Sequence, residues 1–249
     1  MHVIGQTDPG RERSRNEDSF LVRTDGAIAL FAVADGMGGH VAGDVASAIA
    51  IAVLEKSWPA LKRGSLPGDG QFAGIVQKMI CEANKLILAE SAGESGKQGM
   101  GTTLTMGLLN GCRLTIGHVG DSRAYLISDS AITLLTADHS LLEQLIQQGS
   151  ISAAEAQGHP QRHILTRALG TGPAVEIDLI ERELTEDYRV LLCSDGLTTM
   201  VQDQEIWQIV LAKETSGEAV ESLIQLANDR GGHDNITVVL AAGIGRQAV

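Results

Sequence analysis

Basic residues are scarce in this sequence: 19 Lys and Arg stand against 31 Asp and Glu in 249 residues, a formal net charge of −12. Nucleic acids and anionic membranes are bound through clustered Lys and Arg, so neither is an expected partner. Cysteine is also sparse. Cys81, Cys112 and Cys193 are odd in number and far apart, which excludes a disulfide framework and a Cys-x-x-Cys metal site; each reads as a small buried hydrophobe. No apolar run reaches the ~18–20 residues of a membrane-spanning helix. The opening MHVIGQTDPGRERSRNEDSF lacks the basic-then-apolar order of a secretory signal, so a cytoplasmic location is expected. His2, His40, His118, His139, His159, His163 and His233 never take the spacing of a zinc site. Linker-like stretches and internal repeats are missing too. Residues 1–249 therefore read as one domain, with 43% hydrophobic residues to build its core.

The patterned segments that remain fall into runs of strands and runs of helices. The N-terminal third reads as three strands followed by two helices. Residues 19–24 and 28–34 are short and apolar-rich, and Asp25-Gly26 between them is a hairpin signal. From Gly43 the period changes: Val45, Ile49 and Val53 recur every four residues as one helix face, which Trp58-Pro59 is expected to end. Phe72, Ile75, Val76, Met79, Ile80, Ala83, Leu86 and Ile87 trace a second helix. Four strands are expected at 102–109, 114–119, 123–127 and 131–135, with turns such as Asn110-Gly111, giving an antiparallel meander. Residues 140–170 turn polar and helical in short pieces, a surface excursion. Strands return at 175–180 and 189–193, helices follow near 204–212 and 217–230, and a strand at 236–241 ends the pattern. Helices segregated from strands suggest an α+β fold of antiparallel sheets covered by helices, not a parallel βαβ sheet.

Four aspartates share one kind of position. Asp35 ends the apolar run IALFAVA, Asp195 follows VLLC and a Ser, Asp234 immediately precedes NITVVL, and Asp121 lies in the turn Gly120-Asp121-Ser122. Aspartate is depleted inside strands, so its repeated use at strand ends needs a reason beyond turn chemistry. Gly36 and Gly196 follow two of them and permit close backbone approach to a ligand. Convergent strand ends would gather like charges, which a cation relieves. Oxygen donors without thiolate or paired imidazole select hard ions, Mn²⁺ or Mg²⁺. Two such ions about 3.5–4 Å apart can share and acidify a water for in-line attack at phosphorus. Arg13, Arg15, Asn16, Glu17 and Asp18 form a polar cluster just before a strand, and a guanidinium there suits a phosphate bidentately.

Other phosphate chemistries fail on spacing. A dinucleotide-binding glycine fingerprint starting at Gly36 would need glycine at Val41. Gly96-Lys97 lacks the first glycine and the Ser or Thr of a P-loop. Cysteine phosphatases place Arg six residues after the nucleophile, where this chain has Ile87, His118 and Thr199.

The segments RSRNEDSF (13–20), VADGMGGHVAG (33–43), GMGTTLT (99–105), GHVGDSRAYL (117–126), LTADHS (135–140), LTRALG (165–170), CSDGL (193–197) and GGHDNITVVL (231–240) follow one another in the order of a known family. The chain resembles the bacterial metal-dependent protein phosphatases of the PP2C or PPM family over essentially its whole length. The resemblance implies a four-layer α-β-β-α sandwich. It implies hydrolysis of phosphoserine and phosphothreonine on proteins by a hydroxide bridging two Mn²⁺ or Mg²⁺ ions, with a third ion in some relatives. By the same resemblance Asp35 bridges both metals, the Gly36 carbonyl binds one, and Asp195 and Asp234 bind the other. Glu17 and Asp18 hold metal-bound waters, Asp121 and Asp195 hold the third ion, and Arg13 grips substrate phosphate. Residues 140–170 correspond to the family's flap. Eukaryotic members carry His directly after the first Asp-Gly as a proposed general acid. Here that position is Met37, leaving His40 or a metal-bound water for the role. A monomer that reverses the work of a Ser/Thr kinase is the implied setting. Rival expectations are a two-metal phosphoesterase for small esters or nucleotides, a catalytically silent phosphoprotein-binding relative, and a structural domain with acidic turns.

Overall fold

The computed structural model describes residues 1–38, 42–62, 71–93, 99–156, 159–161, 163–184 and 188–244. Strands β1 (His2–Asp8), β2 (Asp18–Asp25) and β3 (Ile28–Met37) lead into helices α1 (Gly43–Lys62) and α2 (Phe72–Ser91). A meander follows: β4 (Gly101–Thr102), β5 (Leu104–Asn110), β6 (Arg113–Val119), β7 (Arg123–Ile127) and β8 (Ile132–Leu134). Short helices α3 (Leu141–Gln147) and α4 (Ala153–Ala156) precede β9 (Asp178–Glu183) and β10 (Tyr188–Cys193). The chain then forms α5 (Asp195–Thr198), α6 (Asp203–Ala212), α7 (Ser216–Asp229) and β11 (Ile236–Ile244).

All strand pairs are antiparallel and form two sheets. One has the order β1-β11-β10-β7-β8; the other runs β2-β3-β5-β6-β9, with β4 also paired to β3. Side-chain parity sorts the apolar residues into three layers. On β3, Leu30, Ala32 and Ala34 pack beneath α1 and α2, while Ala29, Phe31 and Val33 face the other sheet. On β11, Ile236, Val238 and Leu240 pack with α7, and Val239 and Ala241 join the layer between the sheets. The result is the expected α-β-β-α sandwich. Thr215 and Glu218 begin α7 with a reciprocal capping box, at 3.2 Å in each direction.

Several sequence expectations shift. Pro59 does not end α1, which runs to Lys62. A proline there forfeits one backbone bond, but Trp58 and Leu61 are buried and hold the last turn. The strand expected at 175–180 starts at Asp178: Val175 and Ile177 pack on the core without pairing, and register against β6 runs from His118↔Asp178 to Arg113↔Glu183. The segment 102–109 divides at Thr103, with consequences given below. Of the three cysteines only Cys193 is buried; Cys112 is partly covered and Cys81 is exposed on α2. No described helix is long and apolar enough to cross a membrane.

Candidate metal centre

Strand ends and one turn deliver carboxylates to one end of the gap between the sheets. Asp18 opens β2 directly opposite Asp35 on β3. By parity both lie on the face that sends Phe20, Val22, Phe31 and Val33 toward the other sheet. Asp195 begins α5 one residue beyond the end of β10, Asp234 lies just before β11, and Asp121 occupies the turn between β6 and β7.

Asp18 is the deepest of the group. Its Oδ2 accepts from Thr237 Oγ1 at 2.6 Å and from Ser194 Oγ at 2.8 Å, which ties β2 to β11 across the gap. Among the described residues its Oδ1 is buried without a partner. Burial pushes this carboxyl up to about 7, overriding both hydroxyls, and Asp195 and Asp234 push the same way. Burial also holds Asp35 well above the usual carboxylate range, reinforced by Asp18, Asp195, Asp121 and Asp234. Asp121 is pushed up to about 8 by burial, then by Asp195 and Asp138, against Arg123. Asp195 is raised by burial and by Asp234, while His163 and a hydrogen bond with Asp35 pull it down. Glu17 is raised by burial and by Asp44. These mutual influences place Asp18, Asp35, Asp121, Asp195 and Asp234 in one electrostatic neighbourhood. All but Asp18 keep part of their surface open to solvent.

The backbone is packed too tightly here for side chains. A Cβ on Gly36 would lie 2.2 Å from the Gly43 carbonyl oxygen and 2.6 Å from that of Glu17, so only glycine fits between Asp35 and α1. A Cβ on Gly196 would meet the Asn235 carbonyl at 2.0 Å. Glu17 sits over the start of α1, and Gly36 N donates to its carbonyl at 3.2 Å.

Arg13 stands at the rim. Its Nη2 donates to Asp234 Oδ2 at 2.7 Å, with the guanidinium side chain 53% exposed. Burial opposes its charge, but Asp234, Glu17 and Asp195 outweigh that and raise its pKa. Asn235 was not singled out in the sequence, yet it organises this corner. Its Nδ2 donates to the Pro9 and Arg15 carbonyls at 2.9 Å each, and its Oδ1 accepts from Glu17 N at 2.8 Å. The loop carrying Arg13 and Glu17 is thereby held against Asp234. His233 turns outward and pairs with Glu12. His40 lies outside the described residues.

The donor set is oxygen only, with the partly exposed Arg13 guanidinium at its rim. Asp18 Oδ1 is a buried acceptor without a donor among the described residues. Both features fit a hard dication with its water shell. Among the described residues no three His, Cys, Asp or Glu side chains close into a ready ligand cage. The carboxylates neighbour one another instead, and their like charges raise one another's pKa.

Comparison with known proteins agrees with this geometry. Residues 10–231 match the family model described as protein phosphatase 2C. The serine/threonine phosphatase stp of Listeria monocytogenes serotype 4b is 42% identical over 243 residues, covering 96% of this chain and 95% of the relative. A crystal structure of a bacterial serine phosphatase superposes with a TM-score of 0.91 at 35% identity, over the full length of both chains. The catalytic domain of the phosphatase PstP, solved with 2 manganese ions, gives a TM-score of 0.82 at 39% identity over 97% of each chain. A family match spanning most of the chain, on a two-sheet fold whose carboxylates gather at one end, makes this protein a member of the protein phosphatase 2C family.

Proposed function

We propose that the chain is a metal-dependent phosphatase that removes phosphate from phosphoserine and phosphothreonine in proteins, with residues 1–249 as one catalytic unit. The observation that carries this is the meeting of Asp18, Asp35, Asp121, Asp195 and Asp234 at one end of the inter-sheet gap, with the Arg13 guanidinium exposed at its rim. The manganese ions of the PstP catalytic domain and the names of the relatives support it. Asp35 would be shared by two Mn²⁺ or Mg²⁺ ions, the Gly36 carbonyl completing one and Asp195 and Asp234 the other. Glu17 and Asp18 would orient the water shells, and Asp121 with Asp195 would hold a third ion. Bound there, the ions supply an acidified water and positive charge against the phosphoryl oxygens. The chain's own residues do the rest. The close-packed backbone at Gly36 and the hydroxyls on Asp18 keep the carboxylates in place. Arg13 exchanges Asp234 for the substrate phosphate, which its planar fork can grip with two bonds. His40 is the proposed proton donor to the leaving oxygen.

His163, in segment 140–170, lies within electrostatic reach of Asp195, which supports a flap role for that segment beside the site. A cytoplasmic monomer opposing a Ser/Thr kinase completes the proposal. The test is an assay of the purified chain on phosphopeptides and on nucleotides and small esters, with Mn²⁺ and with chelator. Phosphopeptide hydrolysis restored by Mn²⁺ or Mg²⁺ is expected. Preference for nucleotides, or full activity in chelator, would defeat the proposal.

Arg13→Ala should raise KM for a phosphopeptide by about tenfold and change kcat by less than about threefold, because ground-state and transition-state phosphate are gripped alike. Steady-state kinetics at saturating Mn²⁺ check this. An unchanged KM removes Arg13 from phosphate binding.

A further inference from the structure

Hydroxyl groups join two of these carboxylate positions, and none of the roles assigned above uses them. β4 and β5 continue one antiparallel register against β3, with Gly36 opposite Thr102 and Val33 opposite Thr105. Thr103 therefore stands opposite Asp35. In a regular hydrogen-bonded rung the two residues exchange both main-chain bonds. Here the main chain supplies one: Thr103 N donates to the Asp35 carbonyl at 2.9 Å. The other is taken by a side chain, since Asp35 N donates to Thr103 Oγ1 at 2.9 Å. The displaced Thr103 carbonyl lies 2.9 Å from Thr102 Oγ1, which is equally close to the Asp35 carbonyl. This substitution is why β4 and β5 separate at Thr103.

The same hydroxyl reaches the second carboxylate. Thr103 Oγ1 lies 2.7 Å from Ser122 Oγ, on the residue after Asp121. Gly120, on the other side of Asp121, is pressed so close that a Cβ there would lie 2.5 Å from Thr103 Cβ. Ser122 is fixed further by Thr105 Oγ1, which donates to its carbonyl at 2.9 Å. Thr103 and Ser122 are 2% and 0% exposed, so water does not compete for these bonds. Thr103 Oγ1 accepts from Asp35 N and shares a second hydrogen bond with Ser122 Oγ, in which either hydroxyl can be the donor. One hydroxyl thus serves both partners.

We propose that Thr103 is a positioning residue whose hydroxyl sets the spacing between Asp35 and the Asp121 turn, and with it the fit of the acidic cluster to its ions. This rests on the metal-dependent function proposed above. Valine keeps the shape of Thr103 and can neither accept from Asp35 N nor reach Ser122; serine can do both. Partners that orient metal ligands typically change affinity about 10–100-fold when lost. Mn²⁺ binding to the full chain, followed by electron paramagnetic resonance and calorimetry, is the measurement, with circular dichroism to confirm folding.

Thr103→Val should bind Mn²⁺ about tenfold or more weakly, and Thr103→Ser should stay within about threefold of wild type. Ser122→Ala spares the tie to Asp35 and should weaken only the loosest Mn²⁺ ion. Wild-type affinity in Thr103→Val, or equal loss in Thr103→Ser and Thr103→Val, overturns the proposal. If Thr103→Val fails to fold, unchanged binding in Ser122→Ala overturns it. Wild-type protein that binds Mn²⁺ but spares phosphopeptides defeats the proposed function and leaves this result standing.

Discussion

Asp35→Asn should lower kcat on a phosphopeptide by at least about 10³-fold at saturating Mn²⁺, about 4 kcal/mol of transition-state stabilisation, and should make the metal-free protein more stable. The two effects share one cause. Asp35 is surrounded by Asp18, Asp121, Asp195 and Asp234, and burial with their repulsion holds its carboxyl well above the usual range. The opposing charges act elsewhere in the group: Arg13 pairs with Asp234, Arg123 acts on Asp121 and His163 on Asp195. Asparagine has the same shape, so the main-chain bonds with Thr103 survive. It cannot ionise, so folding no longer has to hold a proton on this buried carboxyl or set an anion among its neighbours, and it removes the charge that would hold two dications together. Conserved geometry with lost charge is thus separated from simple unfolding. The measurements are kcat and the melting temperature in chelator near neutral pH. Activity within tenfold of wild type, or a lower metal-free melting temperature, sinks the assignment of Asp35.

The carboxylates were legible in the sequence because aspartate is out of place at the ends of apolar strands. Asp35 and Asp234 advertise themselves against IALFAVA and NITVVL, and Asp195 follows VLLC. The hydroxyls that organise them carry no such signal. Threonine is an ordinary strand residue, so Thr103 and Thr237 read as sheet formers. Their roles emerge only when register puts Thr103 opposite Asp35 and when the second sheet brings Thr237 within 2.6 Å of Asp18. Ser194 looks like part of a turn before Asp195, yet its hydroxyl also serves Asp18, 176 residues away in sequence. Asn235 follows the same logic, reaching back to Pro9, Arg15 and Glu17 from the far end of the chain. Local rules misjudged Pro59 for a related reason. The burial of Trp58 and Leu61, which outweighs the lost backbone bond, depends on what α1 packs against. Helix periodicity and strand parity located the layers well, since both are local properties of the chain. Contacts between the sheets are not.

In chelator, the melting temperature should fall as pH rises from about 6.5 to 8.5, and Mn²⁺ should restore more stability at the upper end than at the lower. Asp18 is pushed up to about 7 and Asp121 to about 8 in the folded chain, and burial with its acidic neighbours holds Asp35 well above the usual carboxylate range, whereas unfolded aspartates titrate near 3.8. Between those values the native state binds more protons than the unfolded state. The slope of unfolding free energy with pH is then negative, so stability present at low pH is lost as pH climbs through the folded pKa values. Buried histidine works in the opposite sense. His118, fully enclosed beside His139, is lowered to about 4 by burial and by that neighbour, and burial also lowers His139. Their contribution is lost as pH falls below about 6.5, so above that value the carboxylates act alone. One excess native proton is worth about 1.4 kcal/mol per pH unit; two or so, released across this window, give roughly 3 kcal/mol, or about 6–12 °C in a domain of this size. Mn²⁺ competes with those protons for the same oxygens, so its stabilisation must grow as they leave. Thermal melts at several pH values, with chelator and with Mn²⁺, test both halves. A metal-free melting temperature that rises across the window, or a Mn²⁺ effect larger at pH 6.5 than at 8.5, would mean that the acidic group is not held together against its own charge.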